Sequence, residues 1–125
     1  MTKYTELLGI SVGVAIDEET RFADTFAPLT NARLKEIIVV AGGIAATSLI
    51  ECGYVVVEAT SFGGIRGLVP FSGAGLQTAP KAVNSGIFKQ EVDLKVNIGV
   101  ALTIKYYYNV LPTTPELLVF GVFEA

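Results

Sequence analysis

From Ile87 to Val110 the chain alternates hydrophobic and polar positions almost without a break. Phe88, Val92, Leu94, Val96, Ile98, Val100, Leu102, Ile104, Tyr106, Tyr108 and Val110 share one parity with Gln90. Lys89, Glu91, Asp93, Lys95, Asn97, Thr103, Lys105 and Asn109 share the other. Successive side chains of a strand point to opposite faces, so this stretch is β structure with one face on a core and one in water. As a single strand its 24 residues would reach more than ~70 Å, against a usual ~5–10 residues per strand. It must therefore fold back or bend, and Asn97-Ile98-Gly99 is the turn-like site. A three-residue hairpin loop with Gly99 left-handed would keep Val96 and Val100 on one side. A shorter strand bent at Gly99 is the other reading.

The same alternation predicts further strands. Gly9–Asp17 places Ile10, Val12, Val14 and Ile16 on one side and Gly9, Ser11, Gly13 and Ala15 on the other. A face of small residues lets another backbone or subunit lie close over it, or simply makes a thin strand. Residues 21–31 hold Phe22 and Phe26 four apart, which suits a short helix or a loop pinned by aromatics, closed by Pro28. Leu34–Ala41 reads as a central strand covered on both faces. Tyr54-Val55-Val56-Val57 is a β-branched strand, and Ile65–Val69 is another. Phe71–Ser85 is a long glycine-punctuated loop, and such loops tend to be functional or interface-forming. Leu111–Pro115 reads as a turn. Leu117–Glu124 is apolar on both faces, with Leu117, Val119 and Phe123 opposite Leu118, Phe120 and Val122. It is either central in a sheet or buried against a neighbouring chain. About eight strands with short turns and little helix predict a single all-β domain over 1–125, an antiparallel β-sandwich of jelly-roll type.

Composition sharpens this picture. Hydrophobic residues make up 51% of the chain and charged residues only 17%. A domain of this size must hide that surplus or share it with neighbours. The net charge of −3 and the lack of a Lys/Arg run argue against direct contact with nucleic acid. Cys52 is the single cysteine, so no internal disulfide is expected, and it reads as a small buried hydrophobe. The longest uncharged run, 14 residues between Glu36 and Glu51, falls short of the ~20 that a transmembrane helix needs. Lys3 and Glu6, with no long apolar core after them, predict no signal peptide and otherwise a cytoplasmic chain.

Candidate chemistry is sparse. Residues 36–58 resemble a dinucleotide-binding strand–glycine–helix–strand unit, with Gly42-Gly43 before a small-residue stretch and GYVVVEA after it. Ala41 and Ala46 stand where the first and third glycines should be, and a crossover helix has too little room. Gly73-Ala74-Gly75 imitates a phosphate loop without its Lys-Ser/Thr. The acidic run Asp17–Thr20 reads as a solvated connection. Tyr106 and Tyr108 share the apolar phase and read as core, leaving Tyr107 exposed. Glu91 and Asp93 sit among Lys89 and Lys95, where mutual neutralisation is expected. There is no histidine, hence no imidazole-based triad or metal site. No enzymatic activity, cofactor, metal or small-molecule substrate is expected.

The strand count, the loop 71–85, the paired strands of 87–110 and the apolar finish LLVFGVFEA together resemble a single jelly-roll capsid protein of a tailless icosahedral virus. That resemblance implies a structural protein of the virion shell, self-assembling with its own copies or related shell proteins. The chain departs from RNA-virus coat proteins in lacking a basic N-terminal arm. Phe71, Leu76, Tyr107, Leu118, Phe120 and Val122 are the expected subunit contacts. The alternatives are a lectin-like or appendage binding module with loop-borne ligands and, more remotely, a nucleotide-cofactor enzyme built on Gly42-Gly43.

Overall fold

The computed structural model describes residues 2–11, 22–45, 51–73, 86–108 and 112–125. Among them eight strands form: β1 (Lys3–Ser11), β2 (Phe22–Phe26), β3 (Ala32–Ala45), β4 (Glu51–Glu58), β5 (Gly67–Gly73), β6 (Gly86–Val96), β7 (Leu102–Tyr108) and β8 (Pro112–Glu124). One four-stranded sheet has the order β1-β8-β3-β6 and the other β2-β7-β4-β5. All neighbours are antiparallel. The pairs β1–β8, β2–β7, β3–β6 and β4–β5 nest inside one another along the sequence. The chain is thus one long two-stranded ribbon, closed at the β4–β5 hairpin and rolled until it meets itself. The expected jelly roll is the architecture.

The core lies between the sheets. Leu8, Leu34, Ile37, Val39, Leu94, Val96, Leu117, Val119 and Phe123 from the first sheet meet Val55, Val57, Val69, Phe71, Leu102, Ile104 and Tyr106 from the second. Two bulges decide which residues take part. In β1 the register slips at Leu8, so Leu8 is buried while Leu7 and Ile10 point outward. In β3 it slips between Leu34 and Glu36, so the buried set changes from Leu34 to Ile37 and Val39. A bulge inserts one residue and thereby reverses the parity of everything beyond it.

Several sequence expectations need correction. Gly99 does adopt a left-handed φ of 83°, and the Val100 amide donates to the Asn97 carbonyl at 3.1 Å. The strands on either side are not a hairpin, however, because β6 and β7 belong to opposite sheets. Leu94 and Val96 face Leu102 and Ile104 across the core, which preserves the even-numbered phase just as a hairpin would. Phe22–Phe26 is a strand rather than a helix or pinned loop. The predicted strand at Ile65–Val69 begins at Gly67 and continues to Gly73. Residues 112–115 are not a turn. They extend β8 and, among the described residues, pair with β3, Pro112 opposite Ala45 and Pro115 opposite Gly43. Gly42 and Gly43 lie within β3, opposite Glu116 and Pro115, so they open no helix and the dinucleotide-binding unit is not formed. Leu34–Ala41 is central, as expected, but no second layer among the described residues covers its outer face. Residues 12–21, including the acidic loop, and residues 74–85, including Leu76, lie outside the described residues. So does the side chain of Cys52.

Candidate functional site

Outward-facing side chains of the β1-β8-β3-β6 sheet line up in rows across all four strands. Ile10, Leu118, Val40 and Ile87 form one row by register, and Leu7, Phe120, Ile38 and Lys89 the next. Beyond them come Thr5, Val122, Glu36 and Glu91, then Lys3, Glu124, Arg33 and Lys95. One end of the face is therefore apolar, and the other carries an acidic row and then a mainly basic one. Leu7, Ile10 and Ile87 are exposed, Ile87 at 64%. Leu118, Phe120, Ile38 and Val40 are half-buried by one another. Isolated exposed aliphatics are ordinary, but seven in two adjacent rows are a patch.

The charged end is held by ion pairs between neighbouring strands. Arg33 Nε and Lys35 Nζ, both on β3, bond the Asp93 carboxylate of β6, Lys35 at 3.3 Å. Asp93 thus pairs across the sheet rather than along β6 with Lys89 and Lys95. The hydrogen bond from Arg33, then that from Lys35, holds the Asp93 carboxyl below the usual carboxylate range. A depressed carboxyl contributes stability above its unfolded pKa and loses it as pH falls through the folded value. Asp93→Asn is therefore expected to flatten the acid limb of a stability–pH curve below about pH 4 and to leave the neutral region nearly unchanged. Melts from pH 2 to 7 would check this, and an unaltered acid limb would contradict it. The pair is exposed, so the effect is small.

The outer face of the second sheet is different. Tyr54 and Tyr107 stack at 4.7 Å with Pro70 alongside. Lys105 Nζ bonds Glu58 at 2.6 Å over Val56, which is only 2% exposed. Glu58 raises the Lys105 pKa, chiefly through that hydrogen bond.

The expected contact residues therefore separate. Leu118, Phe120 and Val122 share the outer face of the first sheet. Tyr107 lies on the opposite side of the molecule, half-buried by Tyr54. Phe71 is 3% exposed and packs inward in the core, so it supports the sandwich instead of offering a surface. Leu7, Ile10, Ile38, Val40 and Ile87 were missed as members of the patch. Ile10 reads as a core residue, Ile38 and Val40 lie in a strand read as covered on both faces, Ile87 falls on the parity read as wet, and Leu7 lies in no stretch read as a strand. Among the described residues no three acidic or cysteine side chains converge to hold a cation, and no helix is long and apolar enough to cross a membrane.

At the sheet edge Gly9 meets the other sheet at close range. Tyr106 is fully buried, and its hydroxyl donates to Asp24 Oδ2 at 2.8 Å. The Ile10 amide donates to the same oxygen at 3.1 Å. A Cβ on Gly9 would strike the Tyr106 hydroxyl and come within 2.8 Å of the carboxylate. What lies close over the small-residue face at this position is neither a backbone nor a subunit but the Tyr106 and Asp24 side chains of the chain's own second sheet.

No protein-family model matches the chain, and no curated protein sequence matches it. Among solved structures it is similar to the globular domain of zebrafish complement 1qA protein, with a TM-score of 0.50 and 10% identity over 98% of this chain and 95% of that one. The P-domain of Macrobrachium rosenbergii nodavirus aligns at a TM-score of 0.38 and 12% identity, over 98% and 92% of the two chains. At such identities the first likeness shows the β-sandwich fold alone, and the second is too distant to carry an argument.

Proposed function

We propose that this chain is a structural building block that self-assembles, as a component of a virion shell, through the outer face of the β1-β8-β3-β6 sheet. The observation that supports this reading is the apolar row from Ile10 to Ile87 across all four strands, with the row Leu7, Phe120 and Ile38 beside it on three of them. Four strands at ~4.8 Å and four rows at ~6.8 Å give a face of about 500 Å², of which the two apolar rows supply about half. Two such faces bury about 1,000 Å², at the weak end of specific interfaces. Apolar surface yields ~25 cal/mol per Å², and most of that is consumed by lost freedom on association. A single contact is then modest, and a stable shell relies on each subunit making several by symmetry.

Light scattering coupled to size-exclusion chromatography tests the reading. The native chain is expected to gain mass with concentration. Phe120→Glu, which puts a charge between Leu7 and Ile38, is expected to shift that transition upward by at least about tenfold in concentration while the subunit stays folded. A native chain that remains a lone particle at high concentration would sink the proposal. That outcome would favour a binding module instead, with the stacked Tyr54–Tyr107 pair as its platform.

A further inference from the structure

A second site lies at one end of the sandwich, away from the outer rows. β2 stops at Phe26, whereas β1 and β8 run on past it to Lys3 and Glu124. Among the described residues, the connection 27–31 roofs the inward residues at that end. A cavity of ≈ 510 Å³ remains beneath it, within the range of small-molecule sites. Its wall is an aromatic stack in which Phe123 lies 5.4 Å from Tyr4 and 6.0 Å from Phe26, each pair within 20° of parallel. Val96 and Pro28 extend the apolar lining, and Leu29, 83% exposed, stands at the rim. The Tyr4 and Thr30 hydroxyls share one hydrogen bond of 3.1 Å. Each keeps hydrogen-bonding capacity for a bound molecule, since a hydroxyl can donate once and accept twice. Glu6 is the one charged side chain among the described residues of the lining.

We infer that this cavity binds a small, ring-bearing apolar molecule that is neutral or positively charged. Three near-parallel rings offer flat apolar surface that selects planar or ring-shaped groups. Two hydroxyls supply a polar anchor. A carboxylate with no cationic side chain among the described lining residues opposes anions and favours a positive charge beside aromatic faces. This site is independent of the assembly surface, and either reading can fail without the other.

A matched pair of fluorescent probes tests it. N-phenyl-1-naphthylamine is uncharged, and 8-anilino-1-naphthalenesulfonate has the same rings plus a sulfonate. The native protein is expected to bind the uncharged probe one to one and the sulfonate at least about tenfold more weakly. Ala27→Trp and Thr30→Trp, both at exposed positions of the roof, are each expected to fill the cavity and weaken the uncharged probe about tenfold without changing the melt. Glu6→Gln is expected to narrow the gap between the two probes. Phe120→Glu, on the outer sheet, is expected to leave binding intact. The inference is overturned if the native protein does not bind, if the sulfonate binds equally well, or if folded tryptophan variants bind like the native protein. Loss of binding in Phe120→Glu alone would overturn it too, by placing the probe on the outer sheet.

Discussion

Phe123→Ala is expected to lower the free energy of unfolding by about 3–5 kcal/mol, the usual cost of emptying a buried phenylalanine site. Phe123 is 2% exposed and is the middle ring between Tyr4 and Phe26. It sits on β8 opposite Tyr4 of β1 and Leu34 of β3, so its removal loosens three strands at once. Collapse to fill the void is hindered because the neighbouring cavity already leaves that end of the core thinly packed. Whole domains are stable by only ~5–15 kcal/mol, so the variant should approach the edge of folding. The melting temperature is expected to fall by about 10–20 °C, measured by circular dichroism. A cost below about 1 kcal/mol would mean that this end of the sandwich is not part of the cooperative core.

The clasp at Gly9 gives the second large effect. Gly9→Ala is expected to destabilise by about 1–3 kcal/mol, as overpacking does, because the new methyl must displace the Tyr106 hydroxyl. The tyrosine ring is locked in the core, so its far end cannot swing aside cheaply. Tyr106→Phe alone is expected to cost a similar ~1–3 kcal/mol through the lost bond to the Asp24 carboxylate. The double variant distinguishes this account from a general intolerance of alanine in β1. Once the hydroxyl is gone, the methyl occupies vacated space, and the two losses should fall short of additivity by at least about 1 kcal/mol. Denaturant melts of the four proteins give the coupling, and strict additivity would refute the geometry.

Much of the fold could be read from parity, and its errors have physical causes. Alternation over 87–110 identified β6 and β7 and their buried faces correctly. It could not assign them to sheets, because a hairpin and a corner between two sheets present the same phase to one core. The strand at Lys3–Leu8 was invisible because the bulge at Leu8 breaks its period, and that bulge also turned Ile10 from a core residue into a surface one. In β3 the bulge near Lys35 spreads apolar residues over both faces, which looks like a strand covered on both sides. Pro112 and Pro115 suggest a turn because proline removes a ladder donor, yet both lie within β8 opposite β3. The patch was legible only through Leu118 and Phe120, and Val122 stands in the acidic row beside it. The end cavity was not legible at all, because its rings come from β1, β2 and β8, far apart in sequence.

The nested ribbon has a consequence for the order of events in folding. The β4–β5 hairpin closes the shortest loop, and each outer pair brings together residues more distant along the chain, ending with Lys3 opposite Glu124. Loop closure grows costlier with separation, and such non-local pairings form slowly. The two greasy rows need β1 laid beside β8, so they are completed only by the last and longest-range pairing. Under the proposed self-assembly, a half-made subunit would offer its siblings an incomplete adhesive surface, a proofreading step built into the order of folding.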